Sequence, residues 1–231
     1  VFGFDKKIEA KIVGAGFFDA TKIEQYLLQK FDTQNESKDE IKDRKDGQVM
    51  LSPDQKSKLY KIVPELSSID GFVNTDGKPI TIESLRGKVV LLDIWTYSCI
   101  NCQRTIPYLN EWHKKYEDDG LVIIGLHTPE FAFEKIQKNV ENAVKDFGIK
   151  YPVVLDNDFS TWNAYENRYW PRKYLIDIDG YIVYDHAGEG QYEETERQIQ
   201  KALNELNYRL KTEKEISSTI SKPIGVTEVN S

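Results

Sequence analysis

The only two cysteines of this 231-residue chain, Cys99 and Cys102, lie three positions apart between an apolar run and a helical pattern. The run Val89–Trp95 predicts a buried strand, and apolar residues at helical spacing predict a helix over Cys99–Tyr116. Cys99 would then start that helix, where unpaired backbone N–H groups favour a thiolate and lower the thiol pKa. Cys102 would follow one turn later on the same face, within reach of a disulfide.

A cysteine pair in this position can attack a foreign disulfide and then resolve the mixed disulfide internally. A structural disulfide is one alternative, although so short a loop contributes little entropic stabilisation. Half of a zinc site is another, but the sequence has no third cysteine and no ligand motif among His113, His127 and His186. We therefore predict a redox-active dithiol without a bound metal or cofactor.

Asp93 is the one charged residue within the run Val89–Trp95. Burial penalises an ionised carboxylate, so the pKa of Asp93 should be raised. It stands six residues before Cys99, where it could take the proton from Cys102 as that thiol becomes nucleophilic. A salt-bridged aspartate or one at a strand edge is the alternative.

From Leu66 onward the apolar pattern is regular and predicts alternating strands and helices. After the first strand and helix, the predicted elements are strand Leu121–Leu126, helix Glu130–Phe147, strand Val153–Leu155, short helix Ser160–Asn167, a hairpin of Lys173–Asp177 with Tyr181–Asp185, and helix Gln191–Leu210. An N-terminal β-hairpin of Phe72–Val73 with Ile80–Ile82 would precede them. The order predicts an α/β fold with a central mixed sheet, whose two long strands are parallel because a helix connects them. The helix after the second long strand would bury one face, made of Phe133, Ile136, Val140 and Val144.

Three parts are expected along the chain, namely a helical and linker segment over 1–65, a main domain over 66–210 and a polar tail over 211–231. In the first part, Lys22–Phe31 predicts an amphipathic helix and Asp32–Gln48 a solvated linker. A further short helix is expected to begin near Pro53 and to end before Pro64.

Lysine and arginine number 31 against 38 acidic residues, which gives a net charge of −7. This acidic balance argues against nucleic acid as a partner. No apolar run approaches the roughly 18 residues of a membrane span, so we predict no transmembrane segment in this chain. Because the sequence starts at Val1 rather than Met, we expect a processed product or an excerpt, whose missing flank could hold a membrane tether.

The stretch VVLLDIWTYSCINCQRTIP, Val89–Pro107, resembles the active-site region of thioredoxin-fold proteins, above all the TlpA/ResA-like group and the thioredoxin-like domain of DipZ-type proteins. The resemblance extends over roughly residues 66–208. It implies a thioredoxin-like sandwich, with Asp93 at the position of the family's buried aspartate and Trp95 at that of its active-site tryptophan. It also implies a cis-proline opposite the cysteines, and Pro171 is the match. A trans proline that opens the following strand is the alternative.

A cis bond before Pro171 would expose the backbone of Trp170 to a bound peptide. The resemblance thus implies a substrate groove around the cysteines, formed by Trp95, Ile100, Asn101, Trp170 and Pro171. The chain departs from the family at the dipeptide Ile100-Asn101, at the bulky Trp170, and at Thr105, where ResA-like proteins carry a glutamate. The redox potential and the proton path of the relatives therefore cannot be transferred.

His127 and Glu130 follow the second long strand, and the carboxyl ends of strands line the site in an open α/β sheet. They could lie near the cysteines and tune their pKa values. A helix N-terminus, in which Glu130 complements the dipole, is the alternative.

The resemblance implies a thiol-disulfide oxidoreductase that reduces disulfides of partner proteins on the outer side of a membrane and takes electrons from a membrane donor. Cytosolic dithiols use the same motif, so the motif alone leaves the compartment open. Two other functions are compatible with the same residues. A redoxin-type peroxidase would consume peroxide with a thiol donor, and a redox-inert binding module would use the thioredoxin surface and keep binding after Cys99→Ser.

Overall fold

The computed structural model describes residues 50–212 and 214–223. Contacts divide the chain into two compact units, Val1–Ser52 and Pro53–Ser231, and the strands and helices described belong to the second. The helix expected at Lys22–Phe31 and the linker expected at Asp32–Gln48 lie outside the described residues. No helix within the described ranges has both the length and the apolar composition that a membrane crossing needs.

Six strands and five α-helices make up the second unit within these ranges. The strands are β1 (Gly71–Val73), β2 (Val89–Trp95), β3 (Leu121–His127), β4 (Val153–Leu155), β5 (Arg172–Ile176) and β6 (Ile182–Ala187). The helices are α1 (Pro53–Leu59), α2 (Ile100–Tyr116), α3 (Gln137–Asp146), α4 (Ser160–Ala164) and α5 (Tyr192–Leu210). The predicted strand and helix order of the main domain is thereby confirmed from β2 to α5.

The strands form one mixed sheet in the order β1-β4-β3-β2-β5-β6. The long strands β2 and β3 run parallel, as predicted, and β4 runs parallel to β3. The pairs β2–β5, β5–β6 and β1–β4 are antiparallel. Strand β2 lies inside the sheet and is buried at every position, so its carboxyl end presents the cysteine loop from the centre of the domain.

Side chains of β2 alternate between two apolar cores, one on each face of the sheet. Leu91 points into the core that α2 and α5 cover, where it packs with residues such as Leu109 and Leu203. Leu92 points into the opposite core, which contains Trp162 of α4. Each fully buried leucine contributes about 1.5–3 kcal/mol to stability, so this strand is held firmly from both sides.

The predicted hairpin of Phe72–Val73 with Ile80–Ile82 is wrong. Phe72 and Val73 pair with Val154 and Val153 of β4 instead, and residues 80–82 form no strand. Pro79 lacks the backbone N–H that a hairpin ladder needs, whereas the edge of β4 offers unpaired backbone groups. The strand at Phe72–Val73 is thus confirmed, whereas the strand at residues 80–82 and the pairing between the two are not.

The helix predicted over Glu130–Phe147 is shorter than expected. A single 3-10 turn, Ala132–Lys135, precedes α3, which begins at Gln137. Val140 and Val144 are buried as expected, but Phe133 and Ile136 are 49% and 53% exposed. The turn instead buries Glu134, whose hydrogen bonds decide which side of this segment faces inward.

Residues 53–65, assigned from the sequence to the N-terminal segment, pack with the main domain. Lys56 of α1 is 2% exposed and forms salt bridges with Asp177 (2.6 Å), Asp179 (2.9 Å) and Glu205 (2.6 Å). These three carboxylates are close enough to share a cation, and the Lys56 ammonium group already bonds to all of them. The cluster anchors α1 to the β5–β6 turn and to α5.

The described part of the predicted tail also lies against the domain. Glu196 of α5 accepts hydrogen bonds from the backbone N–H and the hydroxyl of Ser221, at 2.6 Å and 2.7 Å. Lys115 of α2 forms a salt bridge with Glu196 at 2.9 Å, and Ile216 packs against the main core. Residues 214–223 thus cover the junction of α2 and α5.

Candidate active site

The cysteine pair lies where β2 passes through Thr96–Ser98 into α2. Cys99 is the N-cap residue of α2, and its sulfur accepts a hydrogen bond from the backbone N–H of Cys102 at 3.4 Å. Both cysteines are free thiols. Cys102 is 1% exposed within the main core, whereas Cys99 is only half-buried. A partner can therefore reach the sulfur of Cys99 but not that of Cys102.

The two thiols are shifted in opposite directions. A hydrogen bond from the Cys102 side chain, with backbone hydrogen bonds from Cys102 and Asn101, lowers the pKa of Cys99 to about 6 against the effect of burial. Burial raises the pKa of Cys102 far above its ordinary value, and the hydrogen bond with Cys99 and the charge of Asp93 add to the rise. Near neutral pH, Cys99 is therefore mainly thiolate and Cys102 mainly thiol.

Alkylation of the reduced protein by iodoacetamide is expected to modify Cys99 alone, with a midpoint near the Cys99 pKa of about 6, because the thiolate is the reacting form. Mass spectrometry of samples quenched at successive times over about pH 5–9 measures the rates. The Cys99→Ser variant is the control and should remain unmodified at Cys102. A midpoint near that of an ordinary cysteine, about 8.5, would contradict the asymmetry.

Asp93 is a buried titratable group that interacts electrostatically with this pair. It is 2% exposed, and burial raises the pKa of its carboxyl to about 7. The charge of Lys173 opposes this rise, and that of Cys99 adds to it. The Asp93 Oδ1 atom is buried without a hydrogen-bond partner among the described residues. A carboxyl group that titrates near neutrality can hold or accept a proton at physiological pH, which a general base requires.

Lys173 belongs to this site, and sequence reasoning missed it. It is fully buried and lies opposite Asp93 across the β2–β5 pair. Burial lowers the pKa of its ammonium group, while the charges of Asp93 and Cys102 act in the opposite direction. A lysine at the start of a predicted strand suggests solvent exposure. The apolar run Tyr174-Leu175-Ile176, typical of a strand covered on both faces, was the signal that could have found it.

Three residues of the predicted groove differ in exposure. Ile100 is 57% exposed beside Cys99, and Asn101 is half-buried. Trp95, in contrast, is 1% exposed and packs edge-on against His127, with ring centroids 5.3 Å apart. The expectation that Trp95 lines a surface groove is therefore corrected, because its indole lies in the core behind the cysteine loop.

Trp170 and Pro171 immediately precede β5. The bond between them is cis, and Pro171 is buried. Trp170 is half-buried, with its ring 4.2 Å from that of Trp162 and its Nε1 donating to the carbonyl of Thr128 at 3.0 Å. These contacts hold the indole at the edge of the domain.

His127 and Glu130 have different environments. His127 is buried, and burial lowers its pKa to about 4, so its imidazole is neutral at physiological pH. The ring of Tyr97 stacks on it at 5.6 Å, and the backbone N–H of Tyr97 donates to its Nε2 at 3.4 Å. Glu130 is exposed, and its charge slightly raises the pKa of Cys99. His127 thus supports the loop before the cysteines, and the Glu130 side chain acts on Cys99 through its charge.

Glu134 is a second residue that the sequence did not single out. Its carboxylate accepts hydrogen bonds from the Ser98 hydroxyl at 2.6 Å and from the backbone N–H groups of Glu130 and Phe131 at 2.6 Å and 2.8 Å. Burial works against ionisation, but these hydrogen bonds outweigh it and lower the pKa of Glu134. An anionic Glu134 therefore ties the segment after β3 to the loop before Cys99.

Comparisons with known proteins agree with this geometry. A family model described as Redoxin matches residues 45–203. Protein DipZ from Mycobacterium bovis is 50% identical over 157 residues, which are 68% of this chain and 23% of that protein. Thiol-disulfide oxidoreductase ResA from Bacillus cereus is 32% identical over 156 residues, which are 67% of this chain and 84% of that protein.

A solved structure of a thioredoxin-like protein in the oxidized form superposes with a TM-score of 0.58 at 28% identity, over 64% of this chain and 98% of that one. The chain thus spans nearly all of a thioredoxin-like domain and most of the ResA protein. It spans less than a quarter of the DipZ protein, 23% of its length.

Proposed function

We propose that this chain, which belongs to the Redoxin family and to the TlpA/ResA group of thiol-disulfide oxidoreductases, reduces disulfides of partner proteins with its Cys99–Cys102 dithiol. The single observation that carries the proposal is the asymmetry of the two sulfurs. Cys99 is accessible with a lowered pKa, and Cys102 is buried with a raised one. A mechanism with an attacking thiolate and a protected resolving thiol requires this difference in accessibility and pKa between the two sulfurs.

The proposed reaction has two steps. The Cys99 thiolate attacks one sulfur of the partner's disulfide, and a mixed disulfide forms while the other partner sulfur leaves as a thiolate. Cys102 then gives its proton to the Asp93 carboxylate and attacks the Cys99 sulfur. The partner is released with both sulfurs reduced. The chain has supplied the two electrons and is left oxidised, with a Cys99–Cys102 disulfide. An electron donor returns it to the dithiol.

The surface next to Cys99 supports a polypeptide substrate. Ile100 is exposed, and the stacked rings of Phe131 and Phe133, 5.5 Å apart, are about half exposed. Tyr97, two residues before Cys99, packs on Phe133 with ring centroids 6.1 Å apart. Exposed apolar groups that lie together are typical of surfaces that bind proteins. With Trp170 and Pro171, these side chains would hold a partner segment across the sulfur.

The family of the chain also supports a proposal for the compartment in which the reaction takes place. The chain matches DipZ and ResA proteins, and its resemblance to their group implies action on the outer side of a membrane. We extend the proposal to an extracytoplasmic reductase that is recharged by a membrane electron donor. The acidic charge of the chain and the protein-facing apolar surface are compatible with that setting, and nucleic acid is not a proposed partner.

The reduction potential of the Cys99–Cys102 pair tests the direction of electron flow. Equilibration with a dithiol buffer, read by the fluorescence of Trp95 and checked with Cys99→Ser, is expected to give about −230 mV or lower, as thioredoxin has about −270 mV. A parallel assay of insulin disulfide reduction should show turnover. A potential above about −180 mV would make the chain an oxidant or isomerase. No exchange at all would favour a redox-inert binding module.

A further inference from the structure

We propose that Lys173 is a positioning residue of the dithiol reaction, which supplies the counter-charge that lets the buried Asp93 carboxyl ionise and accept the proton of Cys102. This inference rests on the function proposed above. Lys173 acts through Asp93 and has no contact with the substrate in this scheme. Strand register, burial and the charges around the pair support the assignment.

The register of the sheet places the two charged groups side by side. Asp93 on β2 and Lys173 on β5 are directly opposite each other in an antiparallel pair. Side chains at such positions point to the same face, with Cβ atoms about 4.5–5.5 Å apart. Leu91 and Leu175, two residues away on the same strands, belong to the core that α2 and α5 cover. Asp93 and Lys173 therefore both point to the face that α2 and α5 cover, whose core also contains Cys102.

The other neighbour of Asp93 cannot supply a charge. Its register partner on β3 is Gly125, which has no side chain. A Cβ at that position would lie 2.9 Å from the indole nitrogen of Trp95 and 3.3 Å from a ring carbon of Tyr151, so the space is already filled. Within the described part of the chain, Lys173 is thus the cation that the sheet brings beside Asp93.

The surroundings of Lys173 keep its ammonium group near the pair. Its Nζ donates to the carbonyl of Gly188 at 3.3 Å and lies 5.9 Å from the ring centre of Tyr192. His186, opposite Lys173 on β6, is buried, and burial lowers its pKa with the charge of Lys173 adding to the effect. It therefore adds no positive charge near neutral pH. The titratable groups that face the pair are Cys99 and Cys102 of α2, Tyr151 before β4, His186 of β6, Glu189 after β6 and Tyr192 of α5.

The counter-charge matters at the resolving step. Asp93 can take the proton of Cys102 only if its carboxyl is ionised when that step begins. A neighbouring cation favours the ionised form, whereas burial alone favours the protonated acid. Without the charge of Lys173, Asp93 would keep its proton to higher pH, and Cys102 would lack a base. Lys173 therefore sets the pH at which the mixed disulfide is resolved.

The variant Lys173→Met tests this role because methionine keeps most of the side chain's length and apolar bulk. NMR titration of the Asp93 carboxyl carbon in the reduced protein should show its midpoint raised by about 1–3 pH units, the usual effect of losing an adjacent cation. The acidic limb of the pH profile for disulfide reduction should move in the same direction. Lys56→Met is the matched control, since Lys56 is also a buried lysine but pairs with Asp177, Asp179 and Glu205.

An unchanged Asp93 midpoint in Lys173→Met would overturn the inference, as would an equal shift in Lys56→Met. Adding Lys173→Met to Asp93→Asn should not move the activity profile further, and a further shift would assign Lys173 another role. If Lys173→Met does not fold, the wild-type protein provides the test. The chemical shift of the Lys173 Cε resonance must then change at the pH at which Asp93 titrates, and a chemical shift that does not change there refutes the coupling. These NMR readings need no turnover, so failure of the proposed reductase function is distinguished from failure of this inference.

Discussion

Replacing Cys99 by serine is expected to lower the rate of disulfide reduction by about 1000-fold or more, since a catalytic unit that loses its attacking group loses nearly all of its activity. A serine hydroxyl at the N-cap position can still accept the backbone hydrogen bond that Cys99 accepts from Cys102. Folding should therefore be retained. Cys102 alone cannot substitute, because it is buried and its pKa is raised.

Replacing Cys102 by serine is expected to have a different result, because attack by Cys99 remains but resolution is lost. The partner should stay bound to Cys99 as a mixed disulfide. The variant is mixed with native insulin, and the adduct is measured by nonreducing electrophoresis and intact mass spectrometry. Insulin whose disulfides have been reduced and whose thiols have been blocked should give no adduct. The chain has only two cysteines, so any adduct of this variant must be on Cys99.

The paired variants are each other's control. An adduct in Cys99→Ser, or steady turnover by Cys102→Ser, would contradict the assignment of the attacking and resolving sulfurs. Thermal unfolding of both variants, compared with the reduced parent chain, checks that the loss of activity does not come from loss of the fold.

Asp93→Asn is expected to change how stability depends on pH. The pKa of Asp93 is raised by burial to about 7 in the folded protein, against 3.8 for the free side chain. The folded chain therefore holds a proton on Asp93 that the unfolded chain has released over this window, and the contribution of Asp93 to the parent's stability falls as pH rises from about 4 to 7. The loss from this one group is about 4 kcal/mol, and it is absent in Asp93→Asn.

Urea unfolding of the reduced proteins at several pH values measures this difference. The free energy of unfolding of the parent, minus that of Asp93→Asn, should decrease up to about pH 7 and then become constant. Asp76→Asn is the matched control, since Asp76 lies exposed in the turn after β1. A difference that does not vary with pH would show that Asp93 is ionised in the folded protein throughout, and the general-base role would lose its basis.

Much of the site was predictable because its causes are local. The helix that starts at Cys99 follows from apolar spacing, and the lowered pKa of Cys99 follows from its place at the N-cap. The raised pKa of Cys102 depends on burial in the assembled core. The apolar residues on both sides of Asp93 indicate burial and hence a raised pKa. The 3-10 turn before α3 shows the limit of this reasoning, because Glu134 and not Phe133 turns inward, and hydrogen bonds to another loop decide that.

Long-range pairing was not predictable. Phe72 and Val73 have the composition of a strand, but nothing nearby in the sequence indicates that β4 would be their partner. Trp95 matches the family's active-site tryptophan by position, yet its burial depends on space left by Gly125 of the neighbouring strand. In both cases the deciding contact lies on another element.

The sequence by itself determined the strand–cysteine pair–helix unit, the mixed α/β order and the buried carboxyl group, because apolar period, helix capping and desolvation act over a few residues. Only the tertiary structure decided which residue would face that carboxyl group. Lys173 lies opposite Asp93 because β5 pairs antiparallel to β2 in one register, and a shift of one residue would turn its side chain to the other face. Register is a property of the assembled sheet, so the counter-charge of the site is specified there.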